Sequence, residues 1–189
     1  MGDLAYRRRS WTLLCVATLA ALAALTARAQ AQPTEPEVKA EFVERFIRFV
    51  DWDEKVLGPT DFVTCVVGDT PMTAYFQRIA KSRKLKDRRA TLIVVPGDKL
   101  ERLSGCHALF IGALDKKVFG AVLGRTAGHP VLTIADTPGA AAAGVIINFY
   151  EEDDHVKYEI NVRAAEDSGL VLRAKLLRLA RIVGERRGG

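Results

Sequence analysis

Four short apolar runs constrain the fold of this chain most strongly: "FVTCVVG" (62–68), "ATLIVV" (90–95), "HALFIG" (107–112) and "PVLTIAD" (130–136). Apart from single threonines they are continuously apolar and rich in β-branched residues, so each reads as a strand buried on both faces, as in a parallel sheet. Parallel neighbours need a long crossover, usually helical. The intervening segments supply it. "DTPMTAYFQRIAKSRK" can be capped by Asp69 or Thr70, takes Pro71 at its start, and repeats Met72, Tyr75, Phe76 and Ile79 at helical spacing. A short helix around 98–103 leads to Cys106, and another begins at Asp115 and runs to about Leu123. "TPGAAAAG" (137–144) reads as a turn with a small-residue helical stub.

Elements of other kinds flank this core. "TEPEVKAEFVERFIRFVDW" (34–52) predicts a first helix, with Thr34 and Glu37 at capping-box spacing and Pro36 in the first turn. Val38, Phe42, Phe46, Phe49 and Val50 recur on one stripe, widened by Val43 and Ile47. "GVIINFYEEDDHVKYEINV" (144–162) predicts a hairpin turning at "EEDD". Its second arm sets Val156, Tyr158, Ile160 and Val162 on one face and His155, Lys157, Glu159 and Asn161 on the other. "LVLRAKLLRLARIV" (170–183) predicts a last helix, buried along Leu172, Leu176, Leu179, Ala180 and Val183, with Arg173, Lys175, Arg178 and Arg181 opposite. The sum is an α/β domain of three layers: a mostly parallel sheet with helices on both faces and an antiparallel hairpin at one edge.

The N-terminus belongs to a different kind of segment. Arg7, Arg8 and Arg9 precede an apolar stretch, "WTLLCVATLAALAALTA", followed by "ARA" and "AQA" ending at Ala29 and Ala31. This is the layout of a secretory signal peptide cleaved after Ala29 or Ala31. Cys15 follows Leu14 inside the apolar run, whereas a lipoprotein signal places its cysteine at the end. Residues 32–189 are then a single exported domain. Cleavage removes Arg7, Arg8, Arg9, Arg28 and Asp3, so the net charge falls from +5 to about +2. Residues 170–189 hold six cations against Glu185, so the positive charge is local to the C-terminus. A nucleic-acid footprint is absent from such a distribution.

Cys65 and Cys106 remain as an even pair in a chain bound for an oxidising compartment. Cys106–His107 looks like a thiol–imidazole pair, but neighbours in extended backbone point to opposite faces. No C-x-x-C or H-x-x-x-H spacing marks a redox or zinc site. A doubly wound sheet makes its first and third strands neighbours at the switch point. That brings Cys65 and Cys106 within disulfide range. "VVGDTPM" lacks the second glycine of a dinucleotide site, and no G-x-x-x-x-G-K occurs. Glu151, Glu152, Asp153 and Asp154 read as a solvated turn. No metal, cofactor or catalytic residue is nominated. The candidate contact residues are Phe42, Phe46 and Phe49 on the first helix and Arg173, Lys175 and Arg178 on the last. The rival site is a small-ligand pocket at the carboxyl ends of the strands, near Gly68, Gly112 and Asp136.

The ordered series "VKAEFVERFIRFVDW", "FVTCVVGD", "LSGCHALFIG", "PVLTIADTPG", "GVIINF" and "VKYEINVRAAEDSGLVLRAKLLRLARIV" resembles the YfiR-type family of bacterial periplasmic regulators, over about residues 38–184. The aromatic-rich first helix ending in a tryptophan is matched by Phe42 to Trp52. Asp53 stands where the family usually has proline, and a second cysteine pair found in some relatives is missing. The resemblance implies a non-enzymatic inhibitor that binds the periplasmic part of an inner-membrane diguanylate cyclase, or of a sensor kinase. It also implies sequestration by an outer-membrane lipoprotein, homodimerisation, and control of cyclic-di-GMP and biofilm formation.

Overall fold

The computed structural model describes residues 33–184; the export signal expected over residues 1–31 lies outside the described residues. In chain order the elements are helix α1 (Glu35–Phe49), strand β1 (Val50–Asp51), helix α2 (Glu54–Leu57), β2 (Phe62–Val67), α3 (Thr73–Ser82), β3 (Lys84–Leu85) and β4 (Arg88–Val95). A 3-10 turn (Leu100–Gly105) leads to β5 (Ala108–Ile111), then α4 (Lys116–Thr126) and β6 (Leu132–Ala135). The hairpin β7 (Ile147–Glu152) and β8 (His155–Asn161) is followed by α5 (Val162–Asp167), β9 (Val171–Leu172), α6 (Ala174–Leu177) and β10 (Arg181–Val183). Eight strands form one sheet in the order β10-β8-β7-β6-β5-β2-β4-β3, and β1 pairs with β9 in a separate two-stranded ribbon.

The four apolar runs become β2, β4, β5 and β6, all parallel. β7 joins them parallel, while β3 runs antiparallel to β4 and β8 antiparallel to β7. Side chains alternate across the sheet, so each strand feeds two cores. On one face Phe62, Val66, Phe110, Ile134 and Phe149 pack beneath α1 and α3, against Val43, Phe46, Ile47, Phe76 and Ile79. On the other, Cys65, Val67, Leu109 and Ile111 meet Leu103 of the 3-10 turn and Val122 of α4. Burying one such large side chain contributes roughly 1.5–3 kcal/mol. The mostly parallel three-layer architecture is therefore what the strand runs predict.

Several local expectations are revised. Thr34 makes no side-chain cap on α1; its hydroxyl shares a hydrogen bond with the Tyr75 hydroxyl at 2.9 Å, and Glu37 turns to Arg78. The capping box gives way to contacts between α1 and α3. The turn of the β7–β8 hairpin is only Asp153–Asp154, both at positive φ, the conformation that matches strand twist in a two-residue hairpin. The hairpin is not the outermost pair, because β10 adds parallel to β8. Glu159 and Asn161, on the polar face of the second hairpin arm, are buried. Asn148 and Arg181 both donate to the Glu159 carboxylate, and Asn161 donates to the Ala141 carbonyl at 2.7 Å. The inner half of β8 is thus covered on both faces.

The largest correction concerns residues 170–183. A single last helix is replaced by β9, the short α6 and β10. Short amphipathic helices depend on tertiary packing more than on propensity, and here two sheet edges compete for the backbone. β1 takes Val171 and Leu172, and β8 takes Arg181 to Val183. Leu176 is buried as expected, but Leu179 is 76% exposed.

Cys65 and Cys106 form a disulfide, with Cα atoms 5.8 Å apart and 41 residues of sequence separation. It crosses the β2–β5 switch point. In the chain-entropy picture, closing such a loop stabilises the fold by about 4 kcal/mol. Purified without residues 1–31 and without reductant, the chain should show no reactive thiol until it is denatured and reduced. The Cys65→Ala/Cys106→Ala double variant should lose about 3–4 kcal/mol in urea unfolding. Two titratable thiols in the folded wild type, or equal stability of the variant, would contradict this assignment.

Candidate interaction groove

The C-terminal segment is laid along the end of α1 by a specific set of bonds. Val50 and Asp51 of β1 pair with Leu172 and Val171 of β9. The Arg173 amide donates to the Phe49 carbonyl at 3.0 Å. The Arg173 guanidinium donates to both oxygens of Asp51, at 2.8 and 2.9 Å, and Lys86 donates at 3.2 Å. Hydrogen bonding from Arg173 and then Lys86 holds the Asp51 carboxyl below its ordinary range. From the sheet side, the Tyr158 hydroxyl donates to the Leu176 carbonyl at 3.0 Å.

Between α1 and this segment lies a groove of about 460 Å³, lined by Phe42, Phe46, Phe49, Tyr158, Leu176 and Leu179. Phe46 is its floor, fully buried, with its ring 4.8 Å from Tyr158 and 5.5 Å from Phe149. Phe42 and Phe49 are half-buried on its wall. The Lys175 ammonium lies 5.1 Å above the Phe49 ring, and the Arg45 guanidinium 5.8 Å from that of Phe42. Both contacts have cation–π geometry.

Of the candidate contact residues, Phe42, Phe46, Phe49 and Lys175 come together in this groove. Arg173 is engaged by Asp51, and Arg178 is exposed on the same segment without lining the groove. Tyr158 and Leu179 were missed. Tyr158 was assigned to a hairpin face and Leu179 to a buried helical stripe. Arg45 follows Phe42 by three residues, the spacing at which helical side chains meet, so its place was readable.

The Cys106–His107 corner opens on a second groove, of about 520 Å³, also lined by His129 and Ser104. Its chemistry is already committed. Cys106 is in the disulfide. His107 Nδ1 accepts the Val63 amide at 2.9 Å, and the ring stacks on Phe62 at 5.0 Å. Among the described residues there is no group of three side chains able to hold a metal ion.

The residues named for a ligand pocket, Gly68, Gly112 and Asp136, sit among groups already bonded to one another or to Asp136 itself. Asp69 and Ala113 exchange backbone hydrogen bonds of 3.2 and 2.8 Å. A Cβ on Gly112 would lie 2.4 Å from the Asp69 carbonyl oxygen, so only glycine permits this approach. Asp136 accepts a hydrogen bond from the buried Lys39 ammonium at 2.7 Å, and Glu35 accepts a second. Burial opposes the Lys39 charge, but these two bonds outweigh it and hold the ammonium above its ordinary range.

This α/β domain carries an open groove of aromatic and cationic character, the kind of surface used for contact with another protein. The chain belongs to the YfiR/HmsC-like family, whose model matches residues 36–181. The family is one of periplasmic regulators associated with membrane diguanylate cyclases. No curated protein matches the chain. Among the described residues, no helix is long and apolar enough to cross a membrane.

Burial pushes the His107 imidazole below its usual pKa, with the Arg88 charge acting in the same direction. The folded state therefore binds fewer protons than the unfolded one. Its contribution to stability is complete above the unfolded value of about 6.5 and is lost as pH falls from there through the folded value. His107→Asn keeps an acceptor for the Val63 amide without a titrating ring. The difference in urea stability between wild type and this variant should be flat above pH 7 and shrink as pH falls towards 5. A difference independent of pH would contradict the buried, neutral ring.

Proposed function

We propose that the chain is exported by its N-terminal signal and docks through the α1–α6 groove on the periplasmic part of a membrane-bound diguanylate cyclase, holding that enzyme inactive. Cyclic-di-GMP then stays low and biofilm formation is restrained. Family membership supports the regulatory class. The observation that carries the surface is Leu179, 76% exposed beside an aromatic floor and flanked by Lys175. Interface energy concentrates in a few apolar and cationic residues at such places. Release of inhibition follows when a competing partner, such as an outer-membrane lipoprotein, takes the inhibitor away. Homodimerisation belongs to the same proposal.

Deleting the gene in the organism that encodes it should raise cyclic-di-GMP, and the wild-type gene should restore the low level. Leu179→Glu should fold with its disulfide intact yet fail to restore it, because a buried carboxylate in the interface would weaken binding by about tenfold or more. An unchanged cyclic-di-GMP level on deletion, or full complementation by Leu179→Glu, would contradict the proposal.

A further inference from the structure

The groove also carries information about its occupant; this inference rests on the docking role proposed above. We infer that it receives a partner segment with an aliphatic or aromatic anchor flanked by carboxylates. The apolar half follows from the wall and floor: Phe42, Phe46, Phe49, Tyr158, Leu176 and Leu179.

The acidic half follows from how the charges around the groove are already paired. Its two carboxylates, Glu41 and Glu44, are both taken by Arg83 from the end of α3, and Glu44 is also bonded by Arg48. Lys175 and Arg45 lie over aromatic rings, and the Arg45 charge also acts on Glu41 one turn away without a hydrogen bond to it. Among the described residues no carboxylate hydrogen-bonds Arg45, Lys175 or Arg178. The charge left to bind is therefore positive.

A partner bringing cations would strand Arg45 and Lys175 against like charge in a drying interface, which is unfavourable. A second copy docked by a two-fold axis through the groove would meet the same obstacle. An isologous contact apposes the same patch from each subunit, so two patches of the same net positive charge would meet. A carboxylate on the partner removes the conflict and gains a charge-assisted hydrogen bond.

Two synthetic helical peptides test this. Both carry the same leucine and phenylalanine face at i, i+4 and i+7; one has glutamates at the flanking positions, the other lysines. Titrated into the chain lacking its export signal, the glutamate peptide should bind at least about tenfold tighter. It should shift the amide resonances of residues 42–49 and 175–179, and weaken as salt is added. Arg45→Glu/Lys175→Glu should reverse the preference, and Leu179→Glu should weaken both peptides.

Equal binding, tighter binding of the lysine peptide, or shifts confined to other residues would overturn the inference. So would concentration-dependent shifts of the groove without peptide, which mark a second copy, or binding only to anionic lipid vesicles. Loss of cyclase control in Leu179→Glu without any peptide preference would overturn the acidic partner and leave the groove standing. Intact control in Leu179→Glu would overturn the groove itself.

Discussion

Phe46 packed on Tyr158, with ring centroids 4.8 Å apart, is the contact on which the outer half of this domain depends. It seats α1 on the antiparallel end of the sheet, and Phe149 closes the other side of the ring at 5.5 Å. Tyr158 then serves both surfaces. Its ring supports α1 while its hydroxyl, withdrawn from water, reaches the Leu176 carbonyl. A buried tyrosine hydroxyl needs such a partner, and by taking it here the residue fixes the height of the C-terminal segment. The groove is the space left between two elements positioned by one side chain.

The centre of the sheet, where β2 and β5 lie side by side, is tied at both strand ends. The disulfide joins β2 to the approach of β5. His107 adds a hydrogen bond to Val63 at the same crossing. At the carboxyl end the Asp69–Ala113 bridge and the close approach at Gly112 bring backbone together where doubly wound sheets usually bind ligands. Lys39 ties α1 to Asp136 at the end of β6. The space that remains at the carboxyl ends of β5 and β6, about 410 Å³ lined by Leu114, Phe119 and Thr137, lies beside this closure, whereas the proposed docking surface lies on the α1 side. A sheet held rigidly at both ends can present a preorganised surface, and preorganisation lowers the ordering cost of association.

The parallel core was legible because its signal is redundant. Four apolar runs, the crossovers between them and two cysteines all require the same strand order, and the disulfide is a direct product of that order. The Phe42–Phe46–Phe49 stripe was legible for the same reason: helical spacing determines which residues share a face. The segment from Leu170 to Val183 was not legible, because its leucines fit a helix and a strand–turn–strand equally well. What decides between them is nonlocal: the free edges of β1 and β8, about 120 and 20 residues away along the chain by their register. The same edge explains Glu159 and Asn161. Alternation along β8 is intact, but β10 and the 137–141 turn cover the face that an isolated hairpin would expose. Long-range pairing overrides local pattern in this part of the chain.

The central claim is that regulation runs through the groove, and hydrogen exchange on the assembled complex tests it most directly. The measurement needs the chain bound to the periplasmic part of the diguanylate cyclase proposed as its partner, compared with the free chain. The account predicts slowed exchange at residues 42–49 and 171–179, where the exposed Leu179 and the half-buried Phe42 and Phe49 would be covered. Protection confined to the carboxyl end of the sheet, around residues 112–119, with the groove unchanged, would contradict it.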